Sequence, residues 1–360
     1  MDISLNLEND MDDVLLQKNS PVSQIIGSYP ISAERISDGR NSRVYLITCK
    51  NLRKYVIKFY FSHELDKKDR MNVEFSSLQF LWNKGIRCIP KPIAVEKKHS
   101  FAVYSFIDGI KIPSEKVTIK DIEYITRFLK KLNELKLKED SNKLPPASEA
   151  CFSIKEMAES IENRYKRLLT LPKENKENYA LHKFLEKEFD PQFSRIVKWC
   201  RLNLTENGID YSSRISKNNQ TLSPSDFGFH NALRRMNGQI VFLDFEYFGW
   251  DDPAKMISDF LLHPNMNLKV NHKRQFVRNM LTLFPEDQSL KIRLNAAFPL
   301  CGLKWTLIFL NEFLPEHFLR RNFAQYNKLI KNDAQAQQLL KAQHLLNKIT
   351  KNFKNFPYKM

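Results

Sequence analysis

The 360-residue chain is 42% hydrophobic and carries 57 Lys and Arg against 41 Asp and Glu, a formal charge of +16, which gives it enough apolar mass for two structural units. No apolar stretch approaches the ~20 residues needed to span a bilayer. The five cysteines are scattered without metal-ligand spacing, so neither a disulfide framework nor a zinc site is expected. The basic excess is spread along the chain without an Arg/aromatic cluster, which argues against a dedicated nucleic-acid site.

Residues 1–23 open with Asp2, Glu8, Asp10, Asp12 and Asp13, read as a mobile acidic arm. This charge is the wrong sign for a signal peptide, so a soluble, cytoplasmic protein without a membrane partner is expected. Three β-rich runs follow at 31–36, 43–48 and 55–60, with polar turns between them, as in an antiparallel meander. The apolar spacing Met71, Phe75, Leu78, Leu81 predicts a helix over 69–84, stopped at Gly85. Two more strands, 92–96 and 100–107, complete a β-β-β-α-β-β pattern over 30–107. From 108 to 360 the pattern is helical (118–136, 152–170, 177–202, 268–283, 289–312 and 328–352). One hairpin, 229–245, is embedded there and turns at Asn237-Gly238.

Two spacings in the second half carry chemistry. Asp226 and Asn231 stand as D-x-x-x-x-N, and Asp244 ends an apolar strand 13 residues after Asn231. Phosphoryl transfer asks little covalent chemistry of a protein. It needs a carboxylate to orient the attacking hydroxyl and oxygen ligands for Mg²⁺ on the phosphates. Helix capping and turn formation are the competing readings of Asp226 and Asn231.

The run from Leu222 to Leu233, with Asp244-Phe-Glu-Tyr247, resembles the aminoglycoside phosphotransferase and choline kinase superfamily. There the loop reads H-G-D-x-x-x-x-N or H-N-D-x-x-x-x-N, followed by D-[FWY]-[EGD]. The resemblance implies an α+β, protein-kinase-like two-lobe fold, with a small antiparallel β-rich N-lobe over 24–107. A larger, mainly helical C-lobe over 108–360 would hold the catalytic loop and metal-binding hairpin. It implies ATP and Mg²⁺ as cofactors, Asp226 as catalytic base, and Asn231 and Asp244 as Mg²⁺ ligands. Lys58 would reach the α/β-phosphates and Glu74 would pair with it. Asn41 and Ser42 fall in the phosphate-loop segment, with Arg40 and Arg43 as possible added charge. Backbone groups of Ser105 and Ile107 would read adenine while Phe106 packs inward, and Asp259 would brace the catalytic loop. Pro224-Ser225 stands where the family has His-Gly or His-Asn; that His buttresses the loop and performs no transfer, so activity is expected to survive.

The substrate cleft of such kinases lies among C-lobe helices, which makes Trp250, Asp251, Asp252, Lys304, Trp305, Asn311 and Glu312 candidates. Trp305 and Phe309 also fit a core stripe. The net charge disfavours a polycation, leaving a small-molecule hydroxyl acceptor such as a sugar, sugar derivative or amino alcohol. Two alternatives stay open: a catalytically silent kinase fold used for nucleotide binding or scaffolding, and a protein kinase. The intact Lys58, Glu74, Asp226, Asn231 and Asp244 count against the first. The absence of an A-P-E-like segment counts against the second.

Overall fold

Alternation along five short strands builds the first half of the molecule. The computed structural model describes residues 15–17, 19–38, 41–64, 66, 68–324 and 331–358. Strands β1 (Pro30–Asp38), β2 (Ser42–Cys49), β3 (Lys54–Tyr60), β4 (Pro92–Glu96) and β5 (Phe101–Ser105) form one antiparallel sheet in the order β1-β2-β3-β5-β4. Successive side chains on a strand point to opposite faces. Ile57, Phe59, Phe101 and Val103 therefore share one face, where they pack with Ile47, Cys49, Leu15 and Val22. The other face presents Lys58, Tyr60 and Tyr104, which are buried as well. Helix α2 (Arg70–Asn83) lies on that side; Asp69 caps it by accepting the Asn72 N–H at 3.2 Å.

The residues group into two compact units, the first made of 1–109, 235–246 and 319–328 and the second of the remainder. Two boundaries differ from those expected. Residues 235–246 belong to the first unit because their backbone is bonded into it: Phe242 N–H donates to the Cys88 carbonyl at 2.9 Å and Phe245 N–H to Glu74 Oε1 at 3.2 Å. The end of the segment expected as a mobile arm is packed in the first unit. Residues 1–14 lie outside the described set, but Leu15 is buried and Val22 sits fully buried on helix α1 (Pro21–Ile26), capped by Ser20.

The second unit begins with β6 (Ile110–Lys111), which pairs antiparallel with β8 (Ala232–Arg234); strand β9 (Ile240–Phe242) lies in the 235–246 segment of the first unit. Its helices are α3 (Ile119–Leu135), α4 (Ile154–Leu169), α5 (Lys176–Phe184), α6 (Asp190–Glu206), α7 (Pro253–Leu262), α8 (Val270–Leu283), α9 (Leu290–Phe309) and α11 (Lys331–Lys351). Helix α9 is apolar on most sides and packs against α4, α6, α7 and α11. Helix α10 (Pro315–Ala324) runs from the second unit's sequence into the first's. The helix expected over 177–202 is two helices joined by a π turn at Leu185–Phe189. Pro191, lacking an N–H, cannot continue the regular ladder there. Helix α7 was not predicted, although Asp252 and Pro253 form a standard cap and first turn: Ala254 N–H donates to Asp252 Oδ1 at 2.8 Å. Among the described residues no single helix is long and apolar enough to cross a membrane.

The placement of α1 is open to a stability measurement. Val22→Asp puts a charge into the apolar face of the sheet and should lower stability in urea by about 3 kcal/mol or more. An unchanged midpoint would show that residues 15–26 do not share that core.

Candidate active site

In the first unit, the sheet face opposite the apolar core gathers around Lys58. Its Nζ lies 2.6 Å from Glu74 Oε2, 2.6 Å from Asp244 Oδ1 and 3.7 Å from Glu246 Oε2. The central position of β3 buries the ammonium, and α2 aims Glu74 back at it. Tyr60 Oη donates to the same Glu74 oxygen at 2.7 Å and lies 2.8 Å from Tyr104 Oη. Burial acts to lower the Lys58 pKa, but the charges of Asp244, Glu74 and Glu246 outweigh it, and the ammonium is held well above its usual range. Burial, then the charge of Asp244, pushes the Glu246 carboxyl up to about 7.

Three carboxylates facing one ammonium leave surplus negative charge. Arg70 offsets part of it, 4.0 Å from Glu246 and 3.0 Å from Asp66. Glu246 Oε2 is buried without a hydrogen-bond partner among the described residues. An oxygen-rich, electron-rich corner of this kind suits a hard divalent cation such as Mg²⁺.

In the second unit, strand β7 (Thr221–Ser223) pairs with β10 (Gly249–Asp251) and leads directly into the loop that carries Asp226. Asp226 Oδ1 lies 3.0 Å from His230 Nε2 and 3.1 Å from His263 Nε2, and a third of its side chain is exposed. Burial of the carboxyl acts to raise its pKa, but hydrogen bonds from the two histidines hold it well below the usual carboxylate range. Asn231 Nδ2 donates to the Asp226 carbonyl at 3.1 Å, which turns its amide oxygen away as the end available to a cation. The loop is further tied by Arg234, just beyond it on β8, which bonds Asp121 at 2.8 Å in the first turn of α3.

Lys58, Glu74 and Asp244 thus meet in the first unit, as their sequence context implies, while Asp226 and Asn231 share one loop of the second. Other expectations change. Asn41 donates through Nδ2 to Glu246 Oε1, a contact its sequence position does not reveal. Ser42 is the first residue of β2, buried and paired with Tyr60, so it is part of the sheet edge and not of an open loop. Arg43 is spoken for: its Nε donates to the Phe323 carbonyl at 2.6 Å and its guanidinium stacks on that ring. Gly39 and Arg40 lie outside the described residues.

At the expected adenine contacts, the Ser105 N–H donates to the Lys91 carbonyl at 2.9 Å and Ser105 Oγ accepts the Lys91 N–H. That leaves the carbonyl of Ser105 as its group for a base. Ile107, not Phe106, is the buried residue there; Phe106 is half-buried, with Lys54 over its ring.

Asp259 does not brace the catalytic loop by hydrogen bonds. It accepts from Lys304 at 2.5 and 2.7 Å and from Trp305 Nε1 at 3.1 Å, with Lys255 at 3.2 Å. Trp250, Asp251 and Asp252 are buried in structural roles. Trp250 Nε1 donates to the Ser141 carbonyl, Asp251 pairs with Lys255, and Asp252 caps α7 while binding Arg293. Trp305 is half-buried with its edge on His263, not a core residue. His230 and His263 escaped the sequence reading, although His230 immediately precedes Asn231 inside the motif.

Ser225 and Asp244 both adopt left-handed backbone conformations, at φ 67° and 65°. Glycine and asparagine tolerate that region best, which accounts for H-G-D and H-N-D as the family's loop patterns. Here serine occupies the strained position, held by its N–H to Ser223 Oγ at 3.0 Å. Relief of the left-handed cost, less the extra chain entropy of glycine, should make Ser225→Gly about 0.5–1 kcal/mol more stable. Equilibrium denaturation checks this, with Ser225→Val as the opposing variant. A Gly variant no more stable than Val would contradict the strain assignment.

Comparison with known proteins bears on the family and the fold. The family model described as the phosphotransferase enzyme family matches residues 32–255, more than half of the chain. A search of curated protein sequences gives no match. Among solved structures, a spectinomycin phosphotransferase in complex with ADP and spectinomycin superposes with a TM-score of 0.61 at 14% identity, covering 90% of this chain and 94% of that one. The choline kinase LicA from Streptococcus pneumoniae gives 0.59 at 16% identity, covering 95% and 99%. A Plasmodium vivax ethanolamine kinase gives 0.55 at 15% identity, covering 86% and 81%. These likenesses show a shared kinase-like α+β fold, and the family match over 32–255 shows that the chain belongs to the phosphotransferase enzyme family.

Proposed function

We propose that this protein is an ATP-dependent kinase, working in the cytoplasm, that transfers the γ-phosphate to a hydroxyl of a small metabolite. The observation that carries this reading is the Asp226 carboxylate, ionised, partly exposed and fixed through one oxygen by two histidines. Phosphoryl transfer passes through a loose transition state in which the nucleophile loses its proton late. A weakly basic but well-placed carboxylate suits that demand: it orients the hydroxyl and receives the proton as the bond to phosphorus forms.

Lys58, kept charged by its carboxylate neighbours, is the group for the α/β-phosphates, and Glu74 fixes its position. Asp244 and Asn231 are the residues to hold Mg²⁺, which when bound neutralises charge on the phosphates. Asn41, just before β2, is the residue we assign to the phosphate-loop contact. The carbonyl of Ser105 and the backbone of Ile107 are the groups for the base.

For the acceptor, we favour sugars, sugar derivatives and amino alcohols. The chain's 57 basic against 41 acidic residues set a field that repels highly cationic ligands at long range. The similarity to choline and ethanolamine kinases supports the inclusion of amino alcohols.

The test is acceptor-dependent ADP release across a metabolite library, with mass spectrometry of the product. Asp226→Asn should lower kcat at least ~100-fold while leaving the ATP Kd within about threefold of wild type. A collapse of ATP affinity in that variant would contradict the placement of Asp226 at the hydroxyl. Turnover confined to polycationic aminoglycosides would overturn the acceptor class, and no acceptor-dependent ADP release from any class would overturn the kinase reading.

A further inference from the structure

We propose that His230 and His263 form a stacked pair of positioning residues that lock the Asp226 carboxylate, doing for this loop what Pro224-Ser225 cannot. The inference rests on the reading of Asp226 as the group that orients the acceptor hydroxyl. The two imidazole rings lie 3.7 Å apart, centroid to centroid, and within 6° of parallel. Both present Nε2 to the same oxygen, Oδ1. An ionised carboxylate only accepts hydrogen bonds, so both Nε2 atoms must carry protons. With two donors converging on Oδ1, the carboxylate loses its freedom to rotate, and Oδ2 is left as the acceptor for the substrate hydroxyl.

The tautomer of His263 is fixed from its other side. Its Nδ1 accepts the Asn265 backbone N–H at 3.2 Å, so the proton of the neutral ring sits on Nε2, facing Asp226. His230 reaches the same state by a different route. Its Nδ1 is buried and has no hydrogen-bond partner among the described residues. A bare lone pair is tolerated there far better than a buried N–H without an acceptor, which again places the proton on Nε2.

Both rings are held by packing. A Cβ on Gly228 would come within 2.9 Å of His230 Nδ1 and 2.7 Å of Met266 Sδ, so the absence of a side chain at 228 makes room for the His230 ring. His263 ends α7, and the indole of Trp305 meets its ring edge-on at 4.7 Å. Trp305 is itself anchored on Asp259, which Lys304 and Lys255 hold. The buried charge cluster around Asp259 therefore acts on the loop indirectly, through Trp305 and His263.

The same three side chains have the ligand types and spacing of a transition-metal site, with their ligand atoms within 4.8 Å of one another. The Asn265 contact speaks against that use. A metal on His263 Nε2 would force the proton onto Nδ1, where it would face the Asn265 N–H. Metal-bound histidines instead donate their second ring N–H to an acceptor.

The experiment uses the full chain and MgATP, with water as the acceptor, and reads ADP release at saturating nucleotide. The contrast is between His263→Gln and His263→Asn. The glutamine amide nitrogen reaches the place of Nε2, whereas the asparagine amide falls short of Oδ1 although it is equally polar. His263→Asn should lower kcat roughly tenfold or more, as expected for loss of a hydrogen bond to a charged group. Its KM for MgATP should stay within about twofold, and His263→Gln should recover kcat to within about threefold of wild type. Equal losses in both variants, or a loss appearing in KM alone, would overturn the positioning role. Asp226→Asn run alongside separates the two claims: an undiminished rate there would refute the assignment of Asp226 itself. Nitrogen-15 NMR of labelled histidines in the unmutated protein gives a check independent of any variant. Protonated Nε2 on both His230 and His263 is expected, and an Nδ1–H tautomer at His263 would contradict the inference.

Discussion

A buried ammonium facing three carboxylates is the constraint on which the first unit depends. Lys58 could not be buried on the central strand unless Glu74 came to it from α2 and Asp244 and Glu246 from the segment at 235–246. A lone buried charge costs several kcal/mol, and breaking such a pair costs ~3–5 kcal/mol. The cluster therefore ties together the sheet, its helix and a segment distant in sequence. It overcompensates, however: one lysine and a shared Arg70 stand against three acids. Burial, together with that imbalance, raises Glu246 to about 7, and the surplus of carboxylate oxygens is of the kind that suits a divalent cation. On the proposed reading, the interaction that organises the first unit would also prepare it for a nucleotide's metal.

The second unit solves a different problem, the placement of a single carboxylate. Its answer is local strain braced from outside. Ser225 in the left-handed region turns the chain after β7 so that Asp226 leaves the strand with part of its carboxyl exposed. Two imidazoles then take up one oxygen. The brace comes from His230, inside the loop, and His263, at the end of α7, where the related pattern places a single histidine just before the aspartate. The Asp244 backbone is equally left-handed, as are those of Leu52, Ser100 and Glu149 elsewhere in the chain.

Much of this was legible in the sequence. Period-2 alternation with a lysine among apolar neighbours marked β3 and Lys58. The helical stripe over 69–84 carried Glu74, and the D-x-x-x-x-N and D-F-E-Y runs located Asp226, Asn231 and Asp244. What stayed hidden is long-range. Whether Arg43 faces a phosphate or the carbonyl of Phe323 depends on a segment 280 residues away. Asp259 looks like a loop brace until Lys304 is seen on it, 45 residues on. The partnership of His230 with His263 depends on a stacking that no periodicity encodes. The acidic residues at the start of the chain hide the apolar roles of Leu15 and Val22, which bury completely against the sheet.

The central claim is that the first unit's surplus of carboxylates is a metal-dependent nucleotide site. Calorimetric titration of ATP, with Mg²⁺ and again with EDTA, tests it most directly when wild type and Asp244→Ala are compared. The account predicts affinity at least about tenfold tighter with Mg²⁺ in the wild type, and an advantage that largely disappears in Asp244→Ala. Equal ATP affinity with and without Mg²⁺ in the wild type, or an undiminished Mg²⁺ effect in the variant, would contradict it.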